Sequence, residues 1–268
     1  MNYKFKTPSI DDFAAEYYFS ERTDAHDARI FPPHLHDRME LYILLEGDVS
    51  FMVESKLYKL ASGDAILTKP NEMHNCILNT RSVHKHLCFW FDVSSEFLFG
   101  DFLTHEFGEN NLLSPSEQSK ARLLTLYDQL KTATDEKDTR RQFYLLLELL
   151  DIFAKSIPTQ SENQPLPPVL KSILADIDEQ FTTITHLQFF TDKYFISQST
   201  LNRLFHNHLH TTPKLYIETK RLAYARQLLK QGKSVLAACM EAGFPDYSNF
   251  IRLFKRRFNI TPRQYKNG

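Results

Sequence analysis

The chain has 268 residues, room for two ordinary domains at roughly 100–200 residues each. Hydrophobic residues make up 42% and charged residues 24%, the balance of a water-soluble globular protein, and no apolar run reaches the ~18 residues of a membrane span. The formal net charge is -1, the start MNYKFKTPSIDDF lacks the apolar stretch of a secretory signal, and Cys76, Cys88 and Cys239 show neither disulfide nor metal spacing, so a reducing cytoplasm is expected.

From about Phe13 to Asp92 the chain runs in short β-rich segments split by turn signals. LYILLEGDVSFMVE reads as a hairpin with Gly47-Asp48 at its turn. YKLASGDAILTKPNEMHNCIL reads as two further strands, broken at Ser62-Gly63-Asp64 and at Pro70-Asn71. Many short strands at this spacing imply a small antiparallel barrel.

His34, His36 and Glu40 fall at even positions, and residues two and four apart in a strand share a face. His74 follows about a hairpin later. Three imidazoles and a carboxylate on one interior surface suit a divalent transition metal, or a polar pocket for a small effector. The third reading is that His34 and His36 are surface residues in the loop RIFPPHLHDRME. His84 and His86 share another strand and either line the same cavity or sit outside it. Phe31, Met39, Tyr42, Phe89, Trp90 and Phe91 are assigned to the core rather than to a ligand platform. The spacing His-x-His-x3-Glu-x6-Gly from His34 to Gly47 resembles the first cupin motif. GDAILTKPNEMHN resembles the second, but lacks its inner glycine and is one residue short between proline and histidine.

Residues 116–155 change to a helical period, carried by Leu123, Tyr127 and Leu130 and then by Phe143, Leu146, Leu147, Leu150 and Phe153. Two such helices form an antiparallel pair that either covers the barrel or packs a second apolar stripe on another subunit. IPTQSENQPLP, residues 157–167, has three prolines and no apolar period, and reads as a linker.

Beyond it the charge balance inverts. Residues 168–268 carry +8 and residues 1–167 carry -9, so the C-terminal part is the one expected to meet a polyanion. It also repeats at an offset of 49. Ser199, Leu201, Arg203, Leu204 and Phe205 match Ser248, Phe250, Arg252, Leu253 and Phe254; Thr212, Pro213 and Tyr216 match Thr261, Pro262 and Tyr265.

Each copy has the grammar of a helix-turn-helix. In the first, Thr185 caps a short helix through Tyr194, Phe195-Ile196 is the turn, and Ser197 caps QSTLNRLFHNHL. In the second, Ser234 caps VLAACMEA, Gly243 permits the turn, and Asp246 caps YSNFIRLFKRRF. Pro213 to Lys230 is a long helix joining the copies, started by a proline in its first turn. The apolar faces of the two second helices go to the core. Their opposite faces show Gln198, Ser199, Asn202 and Arg203 in one copy, and Tyr247, Ser248, Asn249 and Arg252 in the other, residue types that suit base edges. Lys255, Arg256 and Arg257 are placed to meet phosphates.

SVLAACMEAGFPDYSNFIRLFKRRFNITPRQYK closely resembles the signature of the arabinose-operon-type (AraC/XylS) transcription regulators, and HLQFFTDKYFISQSTLNRLFHNHLHTTPKLYIETKRLAYARQLL resembles their first helix-turn-helix. Departures are Thr191 for alanine, Ala238 for isoleucine, Asn259 for glycine, and a small Ser199 where relatives often place a bulkier contact, which weakens the expected reading by the first copy. The resemblance implies two recognition helices in successive major grooves, about 34 Å apart. It also implies a cupin sensor barrel that binds a sugar or another small molecule, with no cofactor required.

The expected architecture is therefore α+β in two domains. Residues 1–157 form a cupin-like β-barrel with a helical hairpin, for sensing and dimerisation; 158–167 form the linker; 168–268 form an all-α double helix-turn-helix. The expected function is an effector-responsive, sequence-specific regulator of transcription, an activator by family tendency, cytoplasmic and without a membrane partner. Its expected partners are promoter DNA, a small effector, a second copy through the N-terminal domain, and RNA polymerase if it activates. Rival readings are a metal-dependent cupin enzyme with a DNA-binding tail, and an architectural DNA binder whose barrel only dimerises.

Overall fold

A computed structural model describes residues 2–6, 15–22, 33–80, 83–91, 96–156, 158 and 166–267. The chain divides into two compact units, residues 1–165 and 166–268. The expected linker falls mostly outside the described residues; Pro158 pairs with Leu113 in the first unit, and Leu166 is buried in the second.

The first unit begins with strands β1 (Asn2–Lys6), β2 (Ala15–Arg22), β3 (Met39–Glu46), β4 (Val49–Val53), β5 (Lys56–Leu60), β6 (Ala65–Thr68), β7 (His74–Leu78) and β8 (His84–Phe91). Helix α1 (Glu96–Thr104), strand β9 (Leu112–Leu113) and helices α2 (Glu117–Asp135) and α3 (Thr139–Ala154) follow. The strands form two antiparallel sheets, in the orders β1-β2-β8-β3-β6-β9 and β5-β4-β7.

The expected hairpin does not exist. β3 pairs with β6 and β8, and β4 with β5 and β7, so Gly47-Asp48 turns a corner between sheets. Gly47 has φ +131, which suits glycine at that corner. β3 is buried at seven of its eight positions, both faces covered, so its apolar run carries no alternation from which a partner strand could be read. The run from Tyr58 to Leu78 contributes to three strands rather than two, separated at the expected breaks.

Strand period two sorts the larger sheet. Tyr17, Phe19, Met39, Leu41, Ile43, Leu87, Phe89 and Phe91 face a core closed by α2 and α3. Leu123, Tyr127, Leu130, Leu146, Leu150 and Phe153 pack there as expected, while Phe143 and Leu147 are only half-buried and Leu145 and Leu149 take their share. Each fully buried side chain of this kind contributes roughly 1.5–3 kcal/mol. The Tyr17 hydroxyl binds Gln142 Oε1 at 2.8 Å and Thr134 Oγ1 at 2.9 Å, pinning β2 to both helices, and burial pushes that phenol up to about 12. The helices thus cover the sheet, yet Leu124 (51% exposed) and Tyr144 (64%) stay in water on their outer faces.

The second unit is helical: α4 (Pro168–Gln180), α5 (Gln188–Tyr194), α6 (Gln198–Leu209), α7 (Pro213–Lys230), α8 (Val235–Glu241), α9 (Tyr247–Phe258) and α10 (Pro262–Asn267). No helix among the described residues is long and apolar enough to cross a membrane. One core gathers Leu222, Ala225 and Leu229 of α7 with Ala238, Cys239, Phe250 and Phe254. In the other, Phe205 of α6 meets Tyr216 of α7 edge-on at 5.7 Å beside buried Leu201 and Leu209. Arg226, itself buried, lies over the rings of Phe258 and Tyr265, fixing α7 to the last two helices.

Candidate nucleic-acid interface and effector pocket

The caps of the reading helices are local and follow the sequence. Ser197 Oγ accepts from Thr200 N at 3.1 Å, Ser234 Oγ from Ala237 N at 3.1 Å, and Asp246 Oδ1 from Asn249 N at 2.6 Å. Thr212 caps α7, whose Pro213 sits in the first turn. Asn259 ends α9 in the left-handed region, the role given to it in place of glycine. One cap differs: α5 starts at Gln188 with no side-chain cap, so Thr185 lies three residues short of the helix. The turn leading into α5 opens only at His186, whose carbonyl accepts from Phe189 N at 3.3 Å, after Thr185.

On α6, Leu201, Phe205 and Leu209 are buried and Leu204 half-buried, while Gln198, Ser199, Asn202 and Arg203 are exposed. On α9, Phe250, Leu253 and Phe254 are buried, and Tyr247, Ser248, Arg252, Lys255 and Arg256 are exposed. Asn249 is half-buried and accepts from Arg252 Nη2 at 2.8 Å, which presets the guanidinium. Arg257 is half-buried, and burial pulls its guanidinium below its usual value. The Ser199 hydroxyl lies 2.8 Å from Ser197 Oγ, inside the cap.

On β2, β3 and β8 the even-numbered residues face away from the core that α2 and α3 close. Glu40 and Tyr42 of β3, Tyr18 of β2 and His86, Cys88 and Trp90 of β8 line a cavity of about 250 Å³, closed by Phe51, Cys76 and His34. The register places Glu40 opposite Trp90 and Tyr42 opposite Cys88. Trp90 is therefore a half-buried pocket wall rather than core; Tyr42 lines the pocket and also belongs to a buried core with Leu44, Val49 and Phe51, and Met39, Phe89 and Phe91 are core; Phe31 lies outside the described residues.

The four expected ligands come together, but not as one strand face. Only Glu40 lies in β3. His34 is held by a two-bond bridge to His74 (2.9 and 2.8 Å), and His36 lies in the stretch between. Glu40 Oε2 accepts from Trp90 Nε1 at 2.6 Å and is bound by His36 Nε2 at 2.7 Å, with His74 Nε2 at 3.5 Å. His74 Nδ1 binds the Glu72 carbonyl at 2.8 Å. Burial alone would drive the Glu40 carboxyl up and the His74 imidazole down. The charges they set on each other, with His36 beside Glu40, outweigh burial: Glu40 sits well below its ordinary value and His74 above its own. His34 and Glu40 face the cavity; His36 and His74 stand behind Glu40 as its partners.

As a metal set the four are incomplete. Donor atoms of His34, Glu40 and His74 lie within 4.8 Å of one another, and His74 Nε2 is buried without a hydrogen bond. His36 has both ring nitrogens engaged, one on Glu40 and one on the Arg38 carbonyl at 2.8 Å, and does not join them.

His86 lines the cavity; His84 lies behind it, its Nε2 2.7 Å from the Tyr42 hydroxyl. Burial, then the Glu40 charge, pushes the Cys88 thiol well up, so it is no ready nucleophile.

Behind this wall lies a knot the sequence did not reveal. Glu72 is fully buried, and its carboxylate accepts from Lys69 N at 2.8 Å, Gly108 N at 2.5 Å and Asn111 Nδ2 at 2.9 Å. No periodicity marks such a residue, because two of its three donors, the Gly108 N–H and the Asn111 side-chain amide, are brought up by tertiary structure.

Residues 17–150 match the AraC-like ligand binding domain, and residues 190–268 match a helix-turn-helix domain. The chain belongs to the AraC family. It is an effector-responsive transcription regulator with separate ligand-binding and DNA-binding parts. The HTH-type transcriptional activator RhaS of Escherichia fergusonii is 24% identical across 98% of this chain and 97% of its own length. RhaS of Escherichia coli K12 is 24% identical over 89% and 88%. Among solved structures, an AraC-type regulator from Chromobacterium violaceum is 30% identical over 37% of this chain and 90% of its own, with a TM-score of 0.35.

Proposed function

We propose that this AraC-family chain activates transcription by reading promoter DNA with α6 and α9. The observation that carries this is a pair of capped helices, each burying one apolar face and presenting polar and basic side chains from a unit of charge +8. Asn202, Arg203, Ser248, Asn249 and Arg252 face base edges, with Gln198, Ser199 and Tyr247 at the helix starts. Lys255 and Arg256 meet phosphates. The relatives named above are activators, which supports that sign and contact with RNA polymerase. The protein works in the cytoplasm, as a homodimer through its N-terminal unit. Leu124 and Tyr144, exposed on α2 and α3, supply an apolar surface for that contact.

The effector enters the cavity behind Trp90. Tyr18 and Trp90 stack at 6.0 Å and offer aromatic faces, while Glu40, His34 and His86 offer polar groups, a combination that suits a compact polyhydroxylated molecule such as a sugar. It shifts regulation only by binding one DNA-reading state better than the other. We read the chain as a regulator rather than an enzyme.

Arg252→Ala should cost ~1–3 kcal/mol of operator affinity and relax preference at one base, whereas Lys255→Ala should weaken all duplexes alike and lower the salt slope by about one. Equal loss of both variants on operator and on random DNA contradicts the assignment. A metal-dependent cupin enzyme with a DNA-binding tail is the second reading, favoured by His34, Glu40 and His74. One equivalent of a single metal in chelator-free protein, lost in His34→Ala, would support it.

A further inference from the structure

The two helix-turn-helix copies build their turn differently. In the second, the left-handed residue is Gly243 (φ +80), and the next residue, Phe244, donates its N–H to Cys239 O. In the first, the left-handed residue is Phe195 (φ +52), and the next residue, Ile196, donates to Thr191 O. The backbone therefore matches Phe195 with Gly243, 48 residues on, and the first turn is one residue shorter before its cap. Phenylalanine occupies glycine's place.

The fold does not account for it. A bulky residue at positive φ is strained. Phe195 is also 94% exposed, so the strain is not offset by burial, while Ile196 is the half-buried apolar residue of the turn. Phe244, by contrast, is buried 5.1 Å from Phe250.

Its position gives the ring a partner. Phe195 stands two residues before the Ser197 cap, at the end of the recognition helix that reaches base edges when such helices dock in the major groove. Beside it the Ser199 hydroxyl is engaged with Ser197. Thymine carries one apolar mark in that groove, the C5-methyl, and an aromatic ring is among the groups that read it.

We propose that Phe195 is a specificity-determining residue that packs on a thymine methyl at the edge of the first copy's site. This rests on the reading that α6 faces DNA. The test uses the full chain and the duplex it selects best from a random pool, remade with each thymine in turn replaced by deoxyuridine. In the wild type one replacement should weaken binding about fourfold, the worth of one buried methyl. Phe195→Ala and Phe195→Gly should bind the thymine duplex correspondingly less well, no longer distinguish the two bases, and melt no lower than the wild type. Arg203→Ala serves as the control for α6 and should weaken binding to either duplex. If Phe195→Ala keeps both affinity and discrimination while Arg203→Ala loses affinity, Phe195 is no reader and α6 still faces DNA. If neither variant changes binding, the placement of α6 falls instead. A Phe195→Ala that binds normally but changes oligomeric state would assign the ring to protein contact and overturn the proposal.

Discussion

In the sensor unit Glu40, Glu72, His74, His84 and His86 are all buried, whereas in the reading unit Gln198, Asn202, Arg203, Arg252 and Lys255 all stand in water. Polar side chains in the two units therefore meet opposite energetics. A buried carboxylate is tolerable only when fully paired, so the sensor's polar groups form a network in which removing one partner strands the others. The reader's polar groups are already solvated, so, if α6 and α9 read DNA as proposed, deleting them should cost binding rather than folding. A mutation's readout, stability or affinity, should reveal which unit it belongs to.

The largest expected effect lies in the network. Glu40→Ala leaves the Trp90 N–H and His36 without their shared acceptor and His74 without its ion-pair partner, and should destabilise the sensor unit by about 3–5 kcal/mol. Trp90 is the only tryptophan, so its fluorescence in urea reports that unit, while helical dichroism is weighted toward the reader. A fluorescence midpoint that does not move would break the comparison. The same network sets a pH window. Glu40 is held below its ordinary value, so its share of stability is present above the usual carboxylate range and lost as pH falls through the depressed value. His74 is held above its ordinary 6.5, so its share is complete below that value and lost as pH rises through the raised one. Glu40→Gln should flatten both limbs of the fluorescence-detected stability profile.

Next comes a backbone effect confined to the reader. A side chain at Gly243 would meet the Thr182 carbonyl at a φ of +80, so Gly243→Ala should cost about 3 kcal/mol of helical stability and leave Trp90 unmoved. The smallest effect belongs to the caps: Ser197→Ala and Asp246→Ala should each cost about 1 kcal/mol, measured by dichroism melts. Equal losses at the two positions would show the two helix-turn-helix copies to be energetically alike, despite their different turns.

The reader was far more legible than the sensor. Ser197, Ser234, Asp246, Pro213 and Asn259 act within three or four residues of themselves, and local rules identify them. Thr185 obeyed the same rule in the wrong place, because nothing local distinguishes a capping threonine from one in the preceding turn. In the sensor, β3 is apolar on both faces, so its partner is set by topology alone. Trp90 looked like core because an aromatic ring suits either face, and only the register opposite Glu40 puts it on the cavity side; Tyr42 is core and lines the cavity as well. His34, Glu40 and His74 were found by spacing, but the bridge that joins His34 to His74 was not.

The Glu72 knot bears on the order in which the chain is made. Its carboxylate finds two of its three donors in Gly108 and Asn111, which leave the ribosome well after the strands around it, and the Glu72 carbonyl holds the His74 ring. A nascent chain that ends short of Gly108 has every strand from β1 to β8 but only the Lys69 N–H of the three donors that hold the Glu72 carboxylate. The pocket is thus finished late in synthesis, and a fragment trimmed to its strands would hold the cavity's lining residues without the support that shapes them.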